Sequence, residues 1–377
     1  MQKRIRIISF SIVLVMLLIG IIIMNNNSNN KYSFTQGGIK YAITLDGNKI
    51  TSFPSKEMYK VQVTCEGADG SWLYDEWSLS LENVTDDISC DINFITITKT
   101  NLNDYIISLA GTTQGTGRVV NENGYRYEGK NPNNYIWFNN EYWRIIGVFD
   151  SASHGQSGKN LVKIIRADVL DGIAWDKSNT NDWTSSSLNS LLNGAYYNAQ
   201  DGANSEYCYG YKKILSNCDY TKRGIQSGYR VMVANVTWYL GGYSSTSATT
   251  EDFYGYERGT TVYSGRPTST TGYIGLMYPS DYGYSVLSSS CARTTNLSSY
   301  SSAACAGQSW LYGKGSKWTL TPNSSHSSNV FILYNNGYLS NISANYGYCS
   351  RPVLYLDDSV YKIDGDGSLD SPYIIGM

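Results

Sequence analysis

The chain has 377 residues and a net charge of −2, with 16% charged and 41% hydrophobic residues. That balance leaves no electrostatic footprint for a nucleic-acid partner, and the apolar content is too high for a disordered chain. The 34 tyrosines and 36 glycines suit short strands joined by long loops.

Lys3, Arg4 and Arg6 precede an apolar run from Ile7 to Met24, interrupted only by Ser9, Ser11 and Gly20. At about 1.5 Å per residue the run reaches roughly 27 Å, enough to cross a hydrocarbon core of about 30 Å. Residues 1–24 are therefore predicted as an uncleaved signal-anchor helix, with the basic flank inside and the C-terminal bulk outside the cell. A cleaved secretory signal is the alternative. It is disfavoured by the length of the run and by its end in Ile21, Ile22, Ile23 and Met24 without a small-residue cleavage site. Either way the chain is exported. Residues 25–31, nearly all Asn, read as a polar spacer.

From residue 32 to 99 the pattern has period two. Tyr59, Val61, Val63 and Cys65 share one strand face, as do Trp77, Leu79 and Leu81, and Cys90, Ile92 and Phe94. With Asp46-Gly47 as a turn and a Trp between two cysteines, this segment is predicted as a small, truncated β-sandwich resembling an immunoglobulin-type module. Residues 100–117 read as a short helix carrying Leu102, Tyr105, Ile106 and Leu109, followed by a Gly/Thr-rich linker.

Residues 118–377 are predicted as an α+β domain. YIWFNNEYWRIIGVF (135–149) reads as a hairpin turning at Asn139-Asn140, and NLVKIIRADV (160–169) as a third strand. A helix follows the capping residues Thr184–Ser186, with Leu188, Leu191, Leu192, Ala195 and Tyr196 on one stripe. Seven cysteines in an exported chain point to disulfides, and proximity suggests Cys65–Cys90, Cys208–Cys218 and Cys291–Cys305, leaving Cys349 over. Six pairable cysteines allow 15 connectivities, so Cys349 could replace any partner.

In this region YRYEGKNPNNYIWFNNEYWRIIGVF (125–149), DWTSSSLNSLLNGAYY (182–197), GYIGLMYPSDYGYS (272–285), KWTLTP (317–322), RPVLYL (351–356) and GDGSLDSPYII (365–375) resemble a family of uncharacterised surface proteins of low-GC Gram-positive gut bacteria. FPSKEMYKVQVTCEGADGSWLYDEWSLSLENV (53–84) resembles modules that often precede it. More distantly, the helix after a Trp, the late W-x-L-x-P strand and the closing R-P-V-L strand resemble C-type-lectin-like folds, which include the formylglycine-generating enzymes. The calcium-binding tripeptides and W-N-D signature of sugar-binding lectins are absent, and only Cys349 remains for the cysteine pair those enzymes use.

The expected ligand-binding residues are Tyr273, Tyr278, Asp281, Tyr282, Tyr284, Trp318 and Arg351. Aromatic faces cover the apolar faces of sugars or peptides, and a carboxylate accepts hydroxyl or amide hydrogen bonds. The opposing reading is a Tyr-rich core. Glu251, Asp252, Glu257 and Asp281 supply carboxylates for a glycan-acting enzyme only if two of them face one cleft. Asp364 to Asp370 carries three aspartates but departs from the EF-hand pattern, and reads as a turn. No metal, cofactor or catalytic triad is expected: C-x-x-C and G-x-S-x-G are absent, and His154 and His326 lie in Gly/Ser-rich segments. The sequence thus predicts a membrane-anchored extracellular protein that binds a glycan or protein ligand. The alternatives are a glycan-acting enzyme or a purely structural surface protein.

Overall fold

The computed structural model describes residues 5–8, 33–36, 39–55, 59–74, 76–85, 87–96 and 99–377. The predicted membrane anchor (1–24) and spacer (25–31) lie outside the described residues except for the strand Ile5–Ile8, which pairs antiparallel with Ser78–Glu82. Among the described residues no helix is long and apolar enough to cross a membrane. The molecule is mixed α and β and rich in strand, and divides into two compact units, Met1–Lys99 and Thr100–Met377.

In the first unit, Ser33–Gln36, Ile39–Leu45, Ile88–Thr96 and Tyr59–Glu66 form a sheet in that order, with Asn48–Ile50 paired to Ile39–Leu45. A second sheet holds Ile5–Ile8, Ser78–Glu82 and Asp69–Leu73. Alternation decides the buried face: Ile88, Cys90, Ile92 and Phe94 point inward, their neighbours outward. Trp72 makes edge contacts with Phe94 (5.1 Å) and Trp77 (5.3 Å), so the two sheets share one aromatic core. Asp46 (φ 49°) and Gly47 (φ 78°) make the expected tight turn. One detail differs from the immunoglobulin pattern, in which the disulfide bridges two sheets. Cys65 and Cys90 are bonded, but they face each other on neighbouring antiparallel strands of the same sheet.

The second unit is built on an antiparallel sheet in the order Thr113–Gln114, Thr116–Asn121, Tyr125–Asn131, Glu141–Phe149, Leu161–Arg166, Val353–Leu356, Ile274–Gly275, with Tyr135–Phe138 paired to Glu141–Phe149. Leu161–Arg166 is buried along its whole length, Lys163 and Arg166 included, which is why NLVKIIRADV lacks the apolar/polar alternation of a half-exposed strand. The hairpin turns at Asn139 and Asn140, both at φ 58°, the left-handed conformation that Asn tolerates and a two-residue turn requires. A second sheet runs Leu170–Ala174, Gly347–Ser350, Lys317–Pro322, Asn329–Leu333, Leu339–Ser343. The expected helix is composite: Ser186 caps Ser187–Leu191 by accepting from the Asn189 N–H, and the chain continues as a π turn over Leu192–Tyr196. Leu188, Leu191, Leu192 and Tyr196 are buried as the stripe predicts.

The linker expected over 111–117 is instead part of this unit. Leu102 and Ile106 of the Leu102–Ser108 helix are fully buried in the large core, Thr100–Asn101 pairs with Tyr361–Asp364, and Thr113–Gln114 is an edge strand. Gly and Thr here serve tight turns, which composition alone does not separate from a linker.

Candidate binding surface

The Cys208–Cys218 and Cys291–Cys305 bonds are both present, and Cys349 is the free cysteine. The first of these closes a small hairpin in which Tyr209–Gly210 pairs with Lys213–Ile214. Both cysteines are fully buried, so the hairpin is pinned at its base while its tip projects. Tyr211 and Lys212 form the tip, Lys212 at φ 59°. This one loop exposes three large apolar side chains: Tyr207 (41%), Tyr211 (44%) and Ile214 (52%).

Opposite the tip lies Tyr346, itself 37% exposed, on the turn before the Gly347–Ser350 strand. Its ring stacks on Tyr211 at 4.7 Å and 11°. The approach depends on Gly347: a Cβ there would lie 2.6 Å from the Gly172 carbonyl and 3.2 Å from the Tyr211 N–H. From Tyr346 the rings continue through Tyr348 (6.3 Å) to Tyr334 (6.4 Å) and Tyr338 (4.8 Å). Tyr348 rests edge-on against buried Trp318 (5.3 Å), whose indole N–H donates to the Ile173 carbonyl at 2.9 Å. Half-exposed tyrosines are thus seated on a rigid floor. Such rings offer large contact area at low conformational-entropy cost.

The polar groups beside these rings are few. Lys212 holds its ammonium 4.8 Å from the Tyr211 ring centre. Asp171 is exposed and accepts from the Cys349 thiol at 3.2 Å. Burial and then that carboxylate push the thiol up to about 11, so it stays protonated and is a poor nucleophile. Asn335 and Asn336 are exposed between Tyr334 and Tyr338.

Of the residues expected to bind ligand, Trp318 lies beneath this surface as its floor and the rest fall elsewhere. Tyr278, Asp281, Tyr282, Tyr284, Trp318 and Arg351 are all buried, and only Tyr273 keeps partial exposure, stacked on Tyr197 at 4.2 Å beside a cavity of about 220 Å³. Asp281 lies in the first turn of the Pro279–Ser285 helix; its carboxylate accepts from Lys163 (2.6 Å), Arg126 (3.0 Å) and the Tyr278 N–H (2.9 Å). Burial alone would push this carboxyl up, but Lys163 and Arg126 outweigh it and hold it below the usual range. Arg126 lies between the Phe149 and Tyr284 rings, 4.5 Å from each centre. Tyr278 donates to the Tyr239 carbonyl and Tyr282 to that of Gly337. Arg351 donates to the Arg166 carbonyl at 2.8 Å; burial, and then neighbouring Arg144, pull it down to about 9.

Glu257 belongs to the same interior. It accepts from the Ser280 N–H (2.9 Å) and hydroxyl (2.5 Å) and from Arg258 (3.3 Å), and burial pushes it up to about 7. Glu251 and Asp252 sit exposed in the first turn of the Thr250–Glu257 helix, Asp252 closing a capping box with Thr249. The Asp364–Asp370 segment is a turn between Tyr361–Asp364 and Ile374–Gly376, with Asp366 accepting from the Ser368 N–H. Among the described residues no three acidic, histidine or cysteine side chains converge as metal ligands.

The aromatic surface went unread in the sequence, although its signal is there: C-Y-G-Y (208–211) and Y-G-Y-C (346–349) are the same alternation, bounded by cysteine. Comparison with protein-family models, with curated proteins and with solved structures finds no match to the chain. The class of protein therefore rests on the chain's own features. Three disulfides are the mark of an oxidising, extracytoplasmic environment.

Proposed function

We propose that this is a membrane-tethered extracytoplasmic protein whose large unit binds a glycan through the tyrosine surface around Tyr211 and Tyr346. The observation that carries the reading is the exposed, nearly parallel Tyr211–Tyr346 stack on a disulfide-pinned hairpin. Aromatic faces pack against the C–H faces of sugars, and the neighbouring Asp171 carboxylate and Asn335 amide supply groups that hydroxyls require. The basic residues Lys3, Arg4 and Arg6 and the following apolar run support the tether. The resemblance to gut-bacterial surface proteins supports display outside the cell.

A glycan-acting enzyme is the weaker reading. Its two carboxylates, Asp281 and Glu257, are both sealed from solvent and committed to buried ion pairs, whereas hydrolysis needs both against the substrate. The test is a glycan array probed with the full chain in detergent, followed by calorimetric titration of the best hit. Tyr346→Ala and Tyr211→Ala should each weaken binding about fivefold or more with the melting temperature nearly unchanged, on the scale of roughly 1–3 kcal/mol that stacking of a flat ligand face on an aromatic ring contributes for nucleic-acid bases. Full affinity in both variants, or no saturable binding to any glycan, overturns the proposal.

A further inference from the structure

We propose that Lys163 and Asp281 are the two halves of an intramolecular amide cross-link that joins the central sheet to the Pro279–Ser285 helix. Lys163 stands on the Leu161–Arg166 strand, opposite Tyr355 of the next strand, and its side chain is 1% exposed. Asp281, in the first turn of the helix, is equally buried. The ammonium nitrogen is 2.6 Å from Oδ2, so the carboxyl carbon, one bond further on, lies close to the near-attack distance of roughly 3–3.5 Å. The Tyr278, Phe149, Tyr355 and Trp238 rings surround Nζ with centres at 4.5 to 5.8 Å. This apolar cage excludes the water that would hydrolyse an amide or hydrate the free amine.

Among the described residues the other lysine ion pairs lack these conditions, and Lys177–Glu206 is exposed to 32% and 61%. In Lys159–Asp358 and Lys314–Asp168 every side chain is at least a third exposed. Between Lys163 and Asp281, by contrast, two charges are held out of water, where a buried ion pair gains little over neutral partners. Transfer of one proton from the ammonium to Oδ2 yields a neutral amine beside a neutral acid. Burial pulls Lys163 down to about 8 despite its partner, while Lys163 and Arg126 hold the Asp281 carboxyl below its usual range, so the neutral pair is a minor state through which the step passes.

The step balances without a co-reactant. Nζ attacks the carboxyl carbon and the C–N bond forms; Oδ1 takes the developing negative charge, 3.0 Å from the Arg126 Nη1 donor that stabilises it. The C–Oδ2 bond then breaks. Of the three ammonium protons, two leave with Oδ2 as water and one stays on the amide nitrogen. The Tyr278 N–H on Oδ2 holds the carboxyl in register before attack. The product ties together residues 118 positions apart and persists after every disulfide is reduced.

The test is peptide mapping of the full chain after reduction, denaturation and trypsin digestion. The expected product is a branched peptide in which NLVKIIR (160–166), uncut at Lys163, is joined through that lysine to the peptide carrying Asp281, one water lighter than the two together. In Lys163→Arg, which keeps the charge but cannot form this amide, the branch disappears. Recovery of NLVK and IIR, cut at Lys163, with the Asp281 peptide at its sequence mass overturns the proposal. So does a loss of water that maps elsewhere, such as a cyclised Asp171-Gly172 step.

Discussion

Removing the Cys208–Cys218 bond by the double change Cys208→Ala and Cys218→Ala probes the physical basis of the proposed binding surface. The bond closes a loop with a sequence separation of 10. On the loop-closure model a ring of that size restricts the unfolded chain by about 3 kcal/mol, and that restriction is lost in the variant. For a unit the size of Thr100–Met377, with about 2.1 cal/mol/K of unfolding entropy per residue, this lowers the melting temperature by about 5 °C. The local effect should be larger than the global one. The hairpin has only two paired strand residues on each side, so without the bond little holds Tyr211 against Tyr346. Amide exchange followed peptide by peptide should show faster exchange over 205–218 and unchanged exchange in the Leu161–Arg166 strand. If the proposed glycan site is right, its affinity should fall by about tenfold, because the loop must then be ordered on binding. Unchanged hairpin exchange together with unchanged melting would refute the claim that the disulfide preorganises this surface.

Lys317 is fully buried, donates to the Gly313 and Gly315 carbonyls and pairs with no carboxylate among the described residues; burial, and then Arg351, pull it down to about 7. The unfolded chain therefore binds this proton more tightly, so the penalty is complete below pH 7 and fades as pH rises toward the ordinary lysine value. Lys317→Met should stabilise the unit at pH 7 by a few kcal/mol and flatten its stability between pH 7 and 10 relative to the parent, as read by urea denaturation; equal slopes count against it. Glu257 is the opposite case, raised to about 7 by burial. Its folded form holds the proton more tightly, so its contribution is complete below the ordinary glutamate value and is lost as pH rises through 7. Glu257→Gln should remove that fall between pH 4.5 and 7 in the same titration, and a variant that still shows it argues that another group is responsible. Gly275→Ala would set a Cβ 2.6 to 2.8 Å from three atoms of the Trp238 ring, and should destabilise by about 1–3 kcal/mol; a neutral effect in thermal melting would mean that the Trp238 ring can move aside.

Much of the local structure was legible because it follows from short-range rules. The Asn139-Asn140 turn, the Ser186 cap, the alternation over Ile88–Thr96 and the three near-neighbour cysteine pairs all depend on residues close in the chain. The sites were less legible, for a reason specific to this composition. With 34 tyrosines, aromatic density marks core and surface alike, and the Tyr278–Tyr284 cluster could not be told from a ligand site until its partners were known.

What the sequence by itself determined is therefore the strand and helix periodicity and, through its near-neighbour cysteine pairs, the oxidising destination, since these reside in local patterns of apolar and cysteine residues. Tertiary structure alone decided which aromatic and charged residues face water. Asp281 is buried because Lys163 and Arg126, 118 and 155 positions away, are brought against it by the sheet. Tyr211 and Tyr346 meet because a disulfide and Gly347 let two distant loops approach. Burial and charge pairing are long-range properties, and no window along the chain contains them.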